Sequence, residues 1–436
     1  MPNVMAAPKG GRIPALDGLR GIAILLVLLW HGIFEASSQS RLLSHLLLVG
    51  KLCWSGVDLF FVLSGFLIVG ILLDAKESPR YFRTFYARRA FRILPLYAVV
   101  LGLCFTARYI PARGVAHWLT SIGFVPVAPV AFLTFSQNFW MAYVGKFSAG
   151  ALSPTWSLAV EEQFYLTMPL IIKRLSRKRI VAVLATVVLC APVLRTLIAI
   201  LFTEHGCFAD YVLMPCRADA LALGALAAIL VRNPTAWNAV VRRPLLLMAI
   251  TTLMLACLAF LSLEGLAPFS VPLVTLGYSV LAVFYTCCLL IALSFKGGIA
   301  ERVLTNRYLM SLGTVAYCAY LIHAPLITFG FNWVIRVAPN WSASIGARPN
   351  AIAKIFGALI GVTLTVALSS LSWHLLERPL LRIGHRYQYW ERPVGGSGAE
   401  SHSSGIISRS DSNTARDLRA LEKLGTKVQI NLGTKI

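Results

Sequence analysis

Hydrophobic positions run along this chain in long unbroken stretches, not in strand-like alternation or in one stripe per helical turn. Ten stretches approach the roughly 20 residues that a bilayer-crossing helix needs. They are 13–34, 54–73, 91–110, 155–172, 180–202, 216–231, 244–263, 272–295, 309–335 and 351–376. Each is apolar nearly all round, which predicts helices with apolar surroundings on every side. An eleventh stretch, 118–139, carries Pro126 and Pro129 near its middle, which disfavours one continuous helix.

The polar connections between the stretches carry a one-sided charge. If 118–139 does not cross and the N-terminus is inside, the inside segments are 1–20, 74–92, 173–179, 232–243, 296–307 and 377–386. They hold 23 Lys and Arg, against 6 in the outside segments 35–53, 108–153, 203–215, 264–271 and 337–350. A crossing at 118–139 would flip everything after it and turn the basic run 173–179 outward. The positive-inside rule therefore predicts ten spans with both termini cytoplasmic, and a re-entrant or outer-surface segment at 118–139. The domain reading is a cytoplasmic N-terminus at 1–12, a membrane domain at 13–386 and a flexible polar tail at 387–436. From Glu391 the tail is rich in Gly and Ser.

Composition agrees. Apolar residues make up 57% of the 436, charged ones 13%, and mean hydropathy is +0.72; a soluble globular chain is about 25% charged. This excludes a soluble enzyme, a disordered chain and a disulfide scaffold. The formal charge of +22 is spread over loops and forms no single patch, so a lipid bilayer and not nucleic acid is the expected partner. Residues 22–30 read as a span in preference to a signal-peptide core, because Asp17 precedes them. Most of the nine cysteines sit inside apolar runs as small hydrophobes. Cys207 and Cys216 flank an expected outside loop, which leaves a disulfide open. No Cys/His spacing resembles a zinc site, so no metal is expected.

Ionisable groups inside spans are costly and mark functional sites. In the first span Arg20 and His31 are eleven residues apart, so they share a helix face about 16 Å apart along the axis, with Asp17 about 40° from that face. Asp58, the pair Glu161-Glu162, Arg217 and Asp219 are expected near the outer depth of His31, as a polar centre or as an ion-pair network that ties helices together. Arg83, Arg88, Arg89 and Arg92 crowd the inner start of the third span. Arg88 and Arg92 share a face by their i, i+4 spacing, and arginine suits bidentate phosphate binding. His323 lies mid-span beside Tyr317 and Tyr320, as a core histidine or a functional one. Ser64, in Leu-Ser-Gly-Phe, reads as close helix packing, with a nucleophile as the other reading. There is no P-loop, no Gly-x-Ser-x-Gly and no Gly-x-Gly-x-x-Gly.

Five segments together carry a resemblance. Ile-Pro-Ala-Leu-Asp-Gly-Leu-Arg-Gly-Ile-Ala-Ile-Leu (13–25) with Trp30-His31 resembles the opening of the membrane-bound acyltransferase-3 family. Gly-Val-Asp-Leu-Phe-Phe-Val-Leu-Ser-Gly-Phe-Leu-Ile (56–68), Tyr-Ala-Arg-Arg-Ala-Phe-Arg-Ile-Leu-Pro-Leu-Tyr (86–97), Trp-Ser-Leu-Ala-Val-Glu-Glu-Gln-Phe-Tyr-Leu (156–166) and Leu-Ile-His-Ala-Pro (321–325) are similar to its later motifs, in the family's order. The resemblance implies an integral O-acyltransferase that moves an acyl group, commonly acetyl, from acyl-CoA to a hydroxyl of a carbohydrate or glycosylated acceptor. It implies that His31 is essential and that Arg20, Arg88 and Arg92 serve acyl-CoA. Some members carry a secreted esterase-like domain after the membrane part.

The expected fold class is thus an all-α polytopic bundle in the inner (cytoplasmic) membrane. The expected mechanism has His31 as general base and Glu161 or Glu162 orienting it, with Asp17, Asp58, Arg217, Asp219 and His323 in support. Acyl-CoA is a co-substrate and no cofactor is held permanently. Glycan-biosynthesis proteins are expected partners. The competing reading is a proton-coupled transporter of a small polar solute, because intramembrane Asp, Glu and His also suit proton relays.

Overall fold

The computed structural model describes residues 13–34, 50–107, 127–147, 150–263, 268–295, 297–338 and 351–390. The expected N-terminal segment 1–12 and the tail from residue 391 onward lie outside the described residues. Among the described residues there is no strand, and the chain is an all-α bundle.

Helix α1 (Pro14–Leu29) continues into a π-helical turn, Trp30–Phe34. A 3-10 turn leads into α2 (Gly56–Asp74), followed by α3 (Tyr81–Ala107). The short α4 (Pro129–Leu133) and α5 (Gln137–Val144) precede α6 (Thr155–Arg174) and α7 (Arg177–Leu201). The short α8 (Gly206–Val212) precedes α9 (Met214–Val231), and α10 (Pro234–Val241) precedes α11 (Pro244–Leu263). A π-turn, Leu273–Gly277, opens α12 (Tyr278–Ser294); α13 (Ile299–Leu304) and α14 (Arg307–Thr314) are short. Then come α15 (Ala316–Val337), α16 (Ala351–Ser372), a third π-turn (Trp373–Glu377) and α17 (Arg378–Gly384).

Nine helical segments among the described residues are long and apolar enough to cross a membrane. The remaining expected span is α6. It has 20 residues, but Glu161-Glu162-Gln163 at its centre lowers its apolarity. The 127–139 part of the ambiguous stretch makes no long helix. It forms α4 and the start of α5, and Gln137, Asn138 and Gln163 bond backbone carbonyls there: Gln137 that of Thr155 at 2.9 Å, Gln163 that of Phe135 at 2.9 Å. Residues 118–126 lie outside the described residues.

Two spans differ from the sequence reading. Helix α3 begins at Tyr81, ten residues before the expected start at 91, because its first turns are amphipathic rather than apolar. The expected span 309–335 is broken at Val315 into α14 and α15. Cys207 and Cys216 are both free thiols, so the disulfide left open by the sequence does not form.

Helix α2 is central: 78% of its spanning window is buried, against 11% for α11 at the periphery. Its closest partner is α9, and small residues set that approach. Gly65 lies against the Leu221 carbonyl and Gly224 against the Val62 carbonyl, where any Cβ would collide with backbone. Between apolar helices such close backbone packing substitutes for the hydrophobic drive that lipid removes. The glycines of the Asp-Gly-Leu-Arg-Gly motif act likewise. Gly18 and Gly21 lie against the backbone of Leu304 and Leu309.

One end of the bundle is strongly basic. Lys76 donates to the Leu175 carbonyl at 2.7 Å, Lys173 to the Lys76 carbonyl at 2.5 Å, and Arg232 pairs with Asp74 at 2.6 Å. Residues 387–389, which the sequence reading assigned to the tail, are tied to α3 at this end. Ser78 bonds the Tyr389 carbonyl and Thr84 that of Gln388.

Candidate active site

A cavity of about 500 Å³ lies between α1, α2, α3, α6, α15 and the turn before α17. Asp17 and Arg20 reach it from α1, Arg89 and Arg92 from α3, and Glu377 and His385 from the C-terminal turns. Deeper along α6 come Tyr165, Glu161 and then Ser157, which faces Tyr320 of α15. The walls between are apolar, with Phe60, Leu63 and Leu67 of α2 among them. Three arginines in one partly enclosed space, with two carboxylates and Asp17 as counter-charges, make a site that suits an anion entering from the basic end.

The arginine face differs from the sequence expectation. Arg92 lines the cavity, but Arg88 does not, and Arg89 does. Arg88 Nε donates to the Tyr387 carbonyl at 2.9 Å, and its guanidinium lies 5.1 Å over the Tyr389 ring. It is engaged by the chain that follows α17, which the i, i+4 count on one helix could not reveal. Arg20 pairs with Asp17 at 3.2 Å. Burial, then Arg88 and Arg92, hold the His385 imidazole below the usual histidine range.

His31 sits in the π-turn after α1. It does not line the cavity. Its ring meets that of His323 edge-on, with centroids 4.7 Å apart. The His323 ring is in turn 5.7 Å from Tyr320, which closes the deep end of the cavity. His31 Nδ1 is 3.0 Å from the Val27 carbonyl and His323 Nδ1 is 2.7 Å from the Tyr320 carbonyl. A carbonyl only accepts, so in the neutral rings both Nδ1 atoms carry the proton and both Nε2 atoms carry a lone pair. His323 is 1% exposed and its Nε2 has no hydrogen-bond partner.

The two glutamates separate. Glu161 lines the cavity and accepts from the Tyr165 hydroxyl at 2.9 Å, with Arg89 and Arg92 as nearby cations. Glu162 lies outside the cavity lining, and its buried Oε1 has no partner. The expectation that one of them orients His31 is not met: the Val27 carbonyl holds the ring, which meets His323 of α15.

Asp58, Arg217 and Asp219 form a separate buried network. Arg217 bonds Asp58 at 2.5 Å, and its guanidinium lies 3.8 Å over the Tyr278 ring. Asp219 pairs with Arg195 at 3.0 Å and accepts from Ser279 at 2.6 Å. Phe61 stands between, lining the cavity on one side and lying 5.8 Å from the Arg217 guanidinium on the other. Arg195, on α7, was missed because an isolated arginine in a span has no local partner. Its partners come from α9 and α12. Among the described residues no group of three or more His, Cys, Asp and Glu could hold a metal ion.

A family model described as an acyltransferase domain matches residues 13–374. The chain is 29% identical over 394 residues to YrhL of Bacillus subtilis (strain 168), provisionally named a peptidoglycan O-acetyltransferase; the match covers 86% of this chain and 56% of that protein. It is 25% identical over 406 residues to the O-acetyltransferase OatA of Staphylococcus aureus (strain NCTC 8325 / PS 47), covering 86% of this chain and 58% of the relative. The chain thus spans little more than half the length of these relatives. No solved structure matches.

Proposed function

The chain belongs to the acyltransferase-3 family, and from that premise we propose that it is a membrane O-acetyltransferase acting on a carbohydrate hydroxyl, with acetyl-CoA as donor. Peptidoglycan is the acceptor class suggested by the name of the Bacillus relative. The observation that carries this reading is one cavity with Arg20, Arg89 and Arg92 near the basic end and, at the other, Tyr320 beside His323, which in turn meets His31.

In this reading the basic end faces the cytoplasm, as the distribution of Lys and Arg requires. The donor phosphates dock on Arg20, Arg89 and Arg92, and the thioester arm extends along the apolar wall of α2. The acceptor hydroxyl approaches from the opposite face. His31 Nε2, left with its lone pair by the Val27 carbonyl, takes the hydroxyl proton. His323, in edge contact, keeps the ring in place.

The test is the full-length protein reconstituted in vesicles with acetyl-CoA and soluble peptidoglycan fragments. Free CoA thiol and acetylated fragment should appear together, and His31→Ala should lower the rate by about 10²–10⁴. Solute flux without thiol release, or an unimpaired His31→Ala protein, would refute the reading.

A further inference from the structure

Phe60 of α2 and Tyr320 of α15 both line the cavity, and both also pack on a second, smaller core that includes Ile24 and Val27 of α1 and Ala319 of α15. Val27 is the residue whose carbonyl holds His31. The two rings meet nearly edge-on, with centroids 6.0 Å apart at 72°. They therefore stand between the cavity and the helix segments that carry the histidine pair. The Tyr320 ring lies 5.7 Å from that of His323, and His323 lies 4.7 Å from His31. Tyr320 is held at three points. Ser157 sends its own proton to the Pro154 carbonyl at 3.1 Å, so the Tyr320 hydroxyl donates to Ser157, at 2.6 Å. The ring rests against Phe60, and the backbone carbonyl accepts from His323 Nδ1 at 2.7 Å. A close-packed aromatic ring fixed at its tip, its side and its backbone makes a stiff wall, because any displacement breaks one of these contacts.

We propose that Tyr320, backed by Phe60, sets the length of the acyl group that this protein transfers; this rests on the donor reading above. With the donor phosphates on Arg20, Arg89 and Arg92, the acyl end of the thioester arm comes to the deep end of the cavity, against the Tyr320 ring. An acetyl group stops there. A longer chain has two directions open to it. One runs into the volume of the two rings, which close packing refuses. The other runs past the ring edge toward His323 and His31, into the space that the acceptor hydroxyl has to occupy. In both cases the extra carbons oppose transfer itself, so the selection is expressed in kcat/KM. The hydroxyl of Tyr320 acts through the ring: its bond to Ser157 keeps the wall in place, and the ring face does the excluding.

The experiment uses the full-length protein in vesicles with soluble peptidoglycan fragments, and compares acetyl-, propionyl- and butyryl-CoA by thiol release and by the mass of the acylated fragment. One methylene in an apolar pocket is worth about 10–200-fold, so the wild type should prefer acetyl to propionyl by that factor and use butyryl less still. Tyr320→Ala should narrow the acetyl-to-propionyl ratio to less than about tenfold and yield butyrylated fragment. Phe60→Ala should shift the ratio in the same direction by less, and Tyr320→Phe, which keeps the ring, should keep the wild-type preference. A ratio of donors does not depend on how much of a variant is folded. An unchanged ratio in Tyr320→Ala, a Tyr320→Phe protein as permissive as Tyr320→Ala, or a wild type that uses butyryl-CoA as well as acetyl-CoA would each overturn the proposal. Loss of turnover with all three donors in both alanine variants would overturn it too, since the rings would then serve more than chain length. A wild type that releases no thiol from any of the three donors would instead remove the donor reading, and the proposal with it.

Discussion

Neighbouring arginines on α3 have different surroundings, and that difference is measurable. Arg89 and Arg92 face the cavity, whereas Arg88 is held by the Tyr387 carbonyl and the Tyr389 ring. A charge-assisted bond is worth about 1.5–3 kcal/mol, so Arg89→Ala should raise the KM for acetyl-CoA by about tenfold or more. Arg88→Ala should change it far less, because its bonds go to this chain; steady-state kinetics on both proteins separates them. His385 adds a pH signature. Burial first, then Arg88 and Arg92, lower its affinity for a proton, so the free protein carries it neutral at neutral pH. A donor phosphate beside it favours the charged ring. The bound state then holds more protons than the free state, and binding tightens as pH falls below about 6.5. Competitive inhibition by CoA measured across that range should show this strengthening in the wild type and less of it in His385→Gln. Equal profiles would remove His385 from the donor site.

Helices are held here by two devices, close glycine contact and buried ion pairs. The α2–α9 seam relies on Gly65 and Gly224 lying against opposing carbonyls. The same seam is braced by Arg217–Asp58, and α7, α9 and α12 are joined through Arg195, Asp219 and Ser279. Removing one partner of a buried pair leaves a charge without compensation, at a cost of about 3–5 kcal/mol. Arg195→Ala is therefore expected to lower the melting temperature in detergent strongly. The fraction that stays folded should keep its KM for donor, since Arg195 does not line the cavity. A large KM change in well-folded Arg195→Ala protein would place this network in the site instead. The π-turns at 30–34 and 373–377 have another role: the first presents His31 to His323, and the second brings Glu377 to the cavity.

In the proposed reading the chemistry runs through the depth of the helical bundle. One end gathers the loops 74–80 and 173–179 with the segment after α17; the other gathers aromatic side chains such as Trp54, Tyr211 and Phe269. In that reading the basic end lies on the cytoplasmic side. A cysteine introduced at Lys178 should react with a membrane-impermeant maleimide in inverted vesicles and not in intact cells, and one at Phe269 should do the reverse. Labelling of both from the same side would break the proposed route from donor to acceptor.

Much of this was legible in residue order. Long apolar runs and the asymmetry of Lys and Arg determine an all-α membrane bundle by themselves, because an unpaired backbone or a stray charge in hydrocarbon costs more than any local preference. Arg20, His31 and Glu161 stood out for the same reason: each is a polar group where lipid would forbid one. What residue order could not decide is which polar groups meet. The His31–His323 contact, and the bond to the Tyr387 carbonyl that takes Arg88 away from the cavity, each join segments hundreds of residues apart. A single helix count carries no information about the partner helix. Those decisions belong to packing, where α2 meets α6 and α1 meets α15.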